Sequence, residues 1–178
     1  MVTMNRFIFF MSCLWCCLNW GCIREGTPSA YTETLEVGDR LPVFSVDLND
    51  GKVFDNVELE GKVGVLVFFR TLCPDCQKEL PVIQQLYDYY KNDSRVCICC
   101  INWREDAGTV ERFWQTEELT IPYAVECREA VYESFACNVV PTVLVCNQRQ
   151  VICYKYGDNP VASFEELSQA VEACLKEN

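Results

Sequence analysis

Apolar and polar positions along this chain form blocks that predict strands and helices in alternation. Continuous apolar runs such as 63–69 are typical of strands buried on both faces. Apolar residues spaced three and four apart in 77–92 indicate an amphipathic helix. A capping box of Ser163 and Glu166 predicts the start of the last helix. Strands are predicted at 63–69, 95–101, 123–125, 142–146 and 151–156, and helices at 77–92, 109–116, 130–135 and 163–175.

A β-hairpin is predicted ahead of the first long apolar run. Residues 44–48 and 52–57 are strand-like, and Asn49-Asp50-Gly51 between them can supply the positive φ angles of a tight turn. Strands that alternate with helices, followed by a closing hairpin and helix, indicate an α/β fold. We therefore expect a central mixed β-sheet flanked by helices, with an added N-terminal hairpin.

The first 22 residues have the pattern of an export signal. Arg6 precedes an uncharged apolar run over 7–18, and a polar stretch begins at Arg24. The run is shorter than the roughly 20 apolar residues that a membrane-spanning helix needs. An N-terminal core helix is the alternative. We expect a signal at 1–22, a polar linker at 23–35 and one domain at 36–178.

Charge and histidine content remove several classes of function. The formal net charge of −11 disfavours binding to nucleic acid or to anionic membrane surfaces. The chain has no histidine, which excludes Cys-His and Ser-His nucleophile pairs and the commonest metal ligand. Of the 14 cysteines, most beyond the leader lie inside apolar runs, where cysteine usually acts as a small buried hydrophobe.

The candidate chemistry is concentrated in Cys73-Pro74-Asp75-Cys76, between a predicted strand and a predicted helix. At a helix N-terminus, unpaired N–H groups and the macrodipole favour a thiolate on the first sulfur. The second sulfur lies one turn inside, close enough to close a disulfide, so the pair predicts a redox centre. Half of a zinc site is the alternative, but the nearest other thiols, Cys97, Cys99 and Cys100, alternate between the faces of a strand.

Two further residues fit a thiol–disulfide centre. The bond before Pro141 can be cis, and because proline lacks an N–H, the Val140-Pro141 loop can leave a backbone edge open to a partner's extended segment. An ordinary proline entering a strand is the alternative. Glu79 lies one turn below Cys76 and can exchange a proton with it during attack or release. A solvent-facing charge is the alternative for Glu79.

These segments together resemble the exported thioredoxin-fold disulfide reductases of the TlpA/ResA type. The similarity runs from about residue 36 to the C-terminus and implies a thioredoxin-like fold. It implies Cys73 as nucleophile, Cys76 as resolving thiol and Glu79 as the active-site acid. It also implies a cis-proline groove for substrate. The segments that carry it are 37–42, the hairpin, Gly61-Lys62, 73–81 and 140–142, and the implied substrate-binding residues are Pro74, Asp75, Val140 and Pro141.

The chain departs from this family's pattern beside the first cysteine. Relatives usually carry tryptophan there, whereas this chain has Leu72, so an aromatic contact to partners is missing. Arg70 is expected to stabilise the thiolate instead. Cys127 and Cys146 stand where relatives often have acidic residues, and extra disulfides there remain open.

The location of the enzyme is expected to be the cell envelope or periplasm. Gly21-Cys22 resembles the end of a bacterial lipoprotein signal, whose cysteine becomes the lipidated first residue of the mature chain. Lipid on Cys22 would tether the domain to the membrane, and no other membrane contact is expected. Thiol–disulfide catalysts suit this oxidising compartment.

The predicted function is a thiol–disulfide oxidoreductase that reduces protein disulfides through Cys73 and Cys76. We expect a monomer without metal or cofactor, supplied with electrons by a membrane donor. Asp75 adds negative charge between the sulfurs, which opposes thiolate formation and favours reduction. One alternative is a peroxiredoxin-like peroxidase, although Arg70 and Leu66 break that family's P-x-x-x-[ST]-x-x-C motif. A redox-inert binding module is the other.

Overall fold

The computed structural model describes residues 34–126 and 129–177. The predicted signal, the lipidation site Cys22, most of the linker and Cys127 therefore lie outside the described residues. The strands are β1 (Ser45–Asp47), β2 (Val53–Asp55), β3 (Val63–Phe69), β4 (Val96–Trp103), β5 (Tyr123–Glu126), β6 (Thr142–Cys146) and β7 (Ile152–Tyr156). The helices are α1 (Pro74–Tyr90), α2 (Ala107–Thr116), α3 (Glu129–Ser134) and α4 (Phe164–Lys176).

Five strands form the predicted mixed sheet, in the order β5-β4-β3-β6-β7. The β3, β4 and β5 strands run parallel, whereas β6 pairs antiparallel with both β3 and β7. Every residue of β3 is buried, as its unbroken apolar sequence predicts for a central strand. The sheet order, the flanking helices and the N-terminal hairpin confirm the predicted fold class.

Alternation along β3 divides the core between the two faces of the sheet. Val65 and Val67 face the layer formed by α1, α2 and α4. Leu66 and Phe68 face the hairpin and α3. Because successive side chains of a strand point to opposite faces, one apolar strand supplies both cores.

The predicted hairpin covers the second face. Val46 pairs with Phe54 in an antiparallel ladder, and Gly51 closes the turn with φ +81°. Phe44 lies 5.7 Å from Phe54 and 5.2 Å from Phe135, measured between ring centroids. These aromatic contacts hold the hairpin against α3 and keep it on the far side of the sheet from α1.

Helix α1 begins three residues earlier than its apolar spacing predicts. Cys73 is the N-cap and Pro74 the first helical residue, a position that proline favours because its missing N–H has no helical acceptor there. The Cys-x-x-Cys segment therefore forms the first turn of α1 itself. The predicted capping box of Ser163 and Glu166 at the start of α4 is confirmed.

Within the described ranges, no helix combines the length and apolar character needed to cross a bilayer.

Gly64 permits close packing of β3 against its neighbours. A Cβ added to Gly64 would lie 2.7 Å from Cys146 Sγ and 2.8 Å from Leu59 Cδ2. We predict that Gly64→Ala lowers the free energy of unfolding by about 1–3 kcal/mol because the core must shift to admit the methyl group. Urea denaturation under reducing conditions measures this change. Gly157→Ala is the matched control, since no atom lies within 4 Å of its added Cβ, and equal midpoints for the two variants would contradict the prediction.

Candidate functional site

Cys73 lies where β3 ends and α1 begins, in the extended conformation of an N-cap. Its Sγ accepts a hydrogen bond from the backbone N–H of Cys76 at 3.3 Å. The same thiol donates to the Val140 carbonyl oxygen at 3.4 Å. The N-cap position therefore directs a backbone N–H of the first helical turn at this sulfur. Cys73 is half-buried, so its sulfur remains accessible from one side.

Cys76 is fully buried behind Cys73. Both thiols are free in this structure, and Cys73 lies close enough to act on the pKa of Cys76. Burial is the main reason that the pKa of Cys76 lies well above its ordinary value, and the neighbouring Cys73 thiol raises it further. Cys76 is therefore a protonated thiol at neutral pH, and the pair consists of one accessible sulfur and one hidden sulfur.

Glu79 is also fully buried, so the alternative of a solvent-facing charge is wrong. Its Oε1 accepts the backbone N–H of Ala162 at 3.3 Å, while Oε2 has no hydrogen-bond partner among the described residues. Burial raises the pKa of Glu79 to about 7, and the Ala162 hydrogen bond acts in the opposite direction. A carboxyl that titrates near neutral pH can both donate and accept a proton. Its charge also acts on Cys76, one turn away.

The Val140–Pro141 peptide bond is cis, and this loop lies against Cys73. Thr142 fixes the loop by donating its hydroxyl to the Val139 carbonyl at 2.8 Å. A cleft of about 310 Å³ opens here, lined by Arg70, Leu72, Cys73, Trp103, Asn138, Val139 and Val140. Leu72 and Val139 are 77% and 51% exposed and give the cleft an apolar rim.

Trp103 supplies an aromatic side chain to this cleft, which the sequence analysis missed. Its ring stacks on Tyr132 at 5.2 Å, and the guanidinium groups of Arg70 and Arg104 lie 5.9 and 5.3 Å from its centroid. The neighbouring strand therefore places an aromatic ring in the cleft, while the absence of an aromatic contact to partners stays a prediction. Trp103 ends β4, which runs parallel to β3, and the carboxyl ends of parallel strands share an edge.

Arg70 rests on Trp103 and lines the cleft with Cys73. Its Nε is buried and has no hydrogen-bond partner among the described residues. The stabilisation of a Cys73 thiolate by Arg70 therefore stays a prediction.

A second missed residue, Glu105, holds the loop that precedes Cys73. Its carboxylate accepts the backbone N–H and the hydroxyl of Thr71, both at 2.8 Å, and the side-chain amide of Asn102 at 2.6 Å. Gln77 adds a bond from its side-chain amide to the Thr71 carbonyl at 2.8 Å. These bonds fix the backbone N–H and carbonyl of Thr71, two residues before Cys73. The signal in the sequence was a pair of polar residues, Asn102 and Glu105, at the end of an otherwise apolar strand.

Asp75 is paired rather than isolated. Its Oδ1 lies 2.7 Å from Lys78 Nζ on the exposed side of α1. Lys78 therefore partly offsets the negative charge on which the prediction of a reducing role depends. Pro74 and Asp75 both lie in the first turn of α1, beside the cleft but not in its lining.

The thiols of β4 face opposite sides of the sheet, as strand alternation predicts. Cys97 and Cys99 pack with the hairpin layer, and Cys100 packs with the α1 layer. In the part of the chain that the structure describes, no three cysteine, aspartate or glutamate side chains are grouped to hold a metal ion. Cys146 packs in the hairpin layer as a free thiol.

Comparisons with known proteins agree with this geometry. The Redoxin family model matches residues 36–172. Thiol-disulfide oxidoreductase ResA of Halalkalibacterium halodurans is 31% identical over 136 residues, which cover 76% of this chain and 77% of that protein.

Solved structures share the fold. A thiol:disulfide interchange protein DsbE from Chlorobium tepidum superposes with a TM-score of 0.70 at 21% identity, covering 80% of this chain and 99% of that one. A secreted disulfide oxidoreductase of Mycobacterium tuberculosis gives a TM-score of 0.64 at 24% identity, covering 73% and 95%. The chain therefore belongs to the Redoxin family and is a thiol–disulfide oxidoreductase of the ResA type, with a thioredoxin-like fold.

Proposed function

We propose that this enzyme reduces protein disulfides in the cell envelope through the Cys73–Cys76 dithiol. The observation that carries the proposal is the asymmetry of the pair. Cys73 is accessible and accepts the Cys76 N–H at 3.3 Å, whereas Cys76 is hidden beneath it. An accessible thiolate is suited to attack an external disulfide, and a buried thiol beside it is suited to resolve the product.

The reaction follows from these positions. The Cys73 thiolate attacks one sulfur of the partner's disulfide, and the other sulfur of the partner leaves as a thiolate. Cys76 then loses its proton and attacks the Cys73 sulfur. The partner departs with both of its sulfurs reduced, and the enzyme retains the Cys73–Cys76 disulfide. An electron donor must restore the dithiol before another turnover.

Glu79 is proposed to take the Cys76 proton in the second step. Its carboxyl is buried one turn below Cys76 and has a pKa of about 7. Burial disfavours the charged form of both Glu79 and Cys76. The proton that leaves Cys76 is therefore proposed to pass to Glu79 rather than to bulk water. During regeneration the same carboxyl would return the proton to Cys76.

The partner is proposed to lie along the Val140–Pro141 loop. The Val140 carbonyl already faces the Cys73 thiol at 3.4 Å, and the exposed Leu72 and Val139 flank the cleft. An extended segment can pair with backbone there and place its apolar side chains on the rim. The support for reduction over oxidation is the resemblance to TlpA/ResA reductases rather than the charge of Asp75.

The envelope location rests on the leader sequence. The apolar run at 7–18 and the Gly21-Cys22 pair fit an export signal followed by a lipid anchor. A domain tethered in this way would meet a membrane donor of electrons on one side and exported proteins with mispaired disulfides on the other. We propose that it acts as a monomer.

Substitution of the two cysteines separates their roles. We predict that Cys73→Ser abolishes reduction of insulin disulfides, because hydroxyl oxygen cannot replace the attacking sulfur. Cys76→Ser should instead accumulate a mixed disulfide between Cys73 and the partner, seen as a mass increase on a non-reducing gel. Cys97→Ser is the control. It removes a half-buried thiol on the other face of the sheet and should keep wild-type activity. Wild-type turnover by Cys73→Ser would reject the assignment.

Glu79→Gln tests the proton transfer. We predict that the rate at which the mixed disulfide resolves rises with pH through about 7 in the wild type, as Glu79 ionises and becomes able to accept the Cys76 proton. The variant should lose this inflection and react roughly 10²-fold more slowly at pH 8. Rapid-quench measurement of single turnovers gives both quantities. Lys78→Gln, on the exposed side of the same helix turn, should retain the wild-type profile.

Glu79→Gln is also expected to change how the stability of the protein depends on pH. The pKa of Glu79 lies at about 7 when folded, above its ordinary value of 4.5, so the folded state binds more protons than the unfolded state between these values. The free energy of unfolding of the wild type should therefore fall as pH rises from about 4.5 to about 7. Glu79→Gln should flatten that fall. An unchanged pH dependence in the variant would show that Glu79 does not titrate near neutrality.

A further inference from the structure

Two free thiols outside the Cys73 cleft, Cys153 and Cys174, are neighbours in the fold. Cys153 lies on β7, and Cys174 lies in the last turn and a half of α4. Each thiol lies close enough to act on the pKa of the other, and both pack in the core layer that α4 forms over the sheet. The reaction proposed for the Cys73–Cys76 pair uses neither of them.

The surroundings hold these thiols together. The Cys153 thiol donates to Glu177 Oε2 at 3.6 Å, and the same oxygen accepts the Asn147 side-chain amide at 3.1 Å. The Glu177 N–H donates to the Cys174 carbonyl at 3.3 Å. Glu177 therefore links the end of α4, beside Cys174, to the side chains of Cys153 and Asn147.

The pair has one accessible and one hidden member. Cys153 is half-buried and Cys174 is fully buried. A register irregularity between Val145 and Cys146 leaves Cys153 outside the regular pairing of β6 with β7. Strand irregularities of this kind redirect a side chain, and here the redirected side chain is the one that reaches α4.

We propose that Cys153 and Cys174 form a second disulfide, separate from the catalytic pair, when the protein meets an oxidising disulfide. Cys153 loses its proton and attacks the external disulfide, forming a mixed disulfide and releasing one external thiolate. The Cys174 thiol then loses its proton and attacks the Cys153 sulfur, releasing the second external thiolate. The two protons pass to the released thiolates, so two protein thiols are oxidised and one external disulfide is reduced.

The chemistry of the pair fits a structural link rather than a catalytic one. Burial raises the pKa of Cys153, and burial and the Cys153 sulfur raise that of Cys174 further, so both are thiols at neutral pH. Such thiols exchange slowly, and a disulfide once formed there would persist in an oxidising compartment. The disulfide would join β7 to α4. It would close the intervening chain into a loop, and that loop contains Ala162, whose N–H donates to Glu79.

Peptide mapping tests the link in the wild-type chain. The protein is treated with excess oxidised glutathione, its remaining thiols are alkylated, and it is digested with trypsin without reduction. Cys153 is the only cysteine of peptide 150–155, and Cys174 is the only one of peptide 156–176. We expect these two peptides to be recovered joined. Peptide 71–78 contains both catalytic cysteines and reports their oxidation separately.

Recovery of 150–155 and 156–176 as separate peptides, alkylated or carrying glutathione, would overturn the proposal whatever the state of 71–78.

Thermal unfolding provides a second measurement. The difference in Tm between oxidised and reduced protein should be roughly 5 to 10 °C larger in the wild type than in Cys153→Ser, because the link restricts the unfolded chain. Cys97→Ser should keep the wild-type difference, and an equal difference in all three proteins would also overturn the link.

Discussion

The hydrogen bond from the Cys76 N–H to the Cys73 sulfur is the interaction on which the rest of the site depends. It places one sulfur at the positive end of α1 while the turn that makes the bond carries the other sulfur into the core. The two thiols are close in sequence and chemically alike, yet the start of the helix gives them different exposure, and burial raises the pKa of Cys76. The backbone geometry at the start of α1 thereby distinguishes the proposed nucleophile from the proposed resolving thiol.

The core beneath this turn also holds an ionisable side chain, Glu79. A carboxyl on the same helix is buried against the loop that precedes α4, and its only hydrogen bond in the described structure comes from the Ala162 N–H. A chain without histidine has no ordinary side chain that titrates near neutrality. Burial supplies one by raising the pKa of Glu79 to about 7. Desolvation therefore gives this chain a side chain that titrates near neutrality, as the proposed proton transfer requires.

Much of this could be predicted from the sequence, because local signals were strong. The apolar run of β3, the hairpin turn and the Ser163 capping box each specify their element through nearby residues. The start of α1 was placed late because apolar spacing begins only after the first turn, whereas the cap is set by Cys73 and Pro74. The fold class followed from the alternation of strands and helices.

What could not be predicted depends on residues distant in sequence. Trp103 reaches the cleft because β4 runs parallel to β3, and Glu105 acts on Thr71 across the same edge. Cys153 lies at an irregularity in the β6–β7 pairing that the local residue pattern does not indicate. The pattern of residue types along the chain does not show that these residues are neighbours until the strand order is known.

Competitive alkylation tests the central claim most directly. The reduced protein is treated at neutral pH with less than one equivalent of iodoacetamide, and the label is located by mass spectrometry among the nine free thiols that the structure describes. The account predicts that Cys73 takes most of the label and that Cys76, in the same tryptic peptide, takes almost none. Equal labelling of Cys73 and Cys76, or preferential labelling of half-buried thiols such as Cys97, would contradict it.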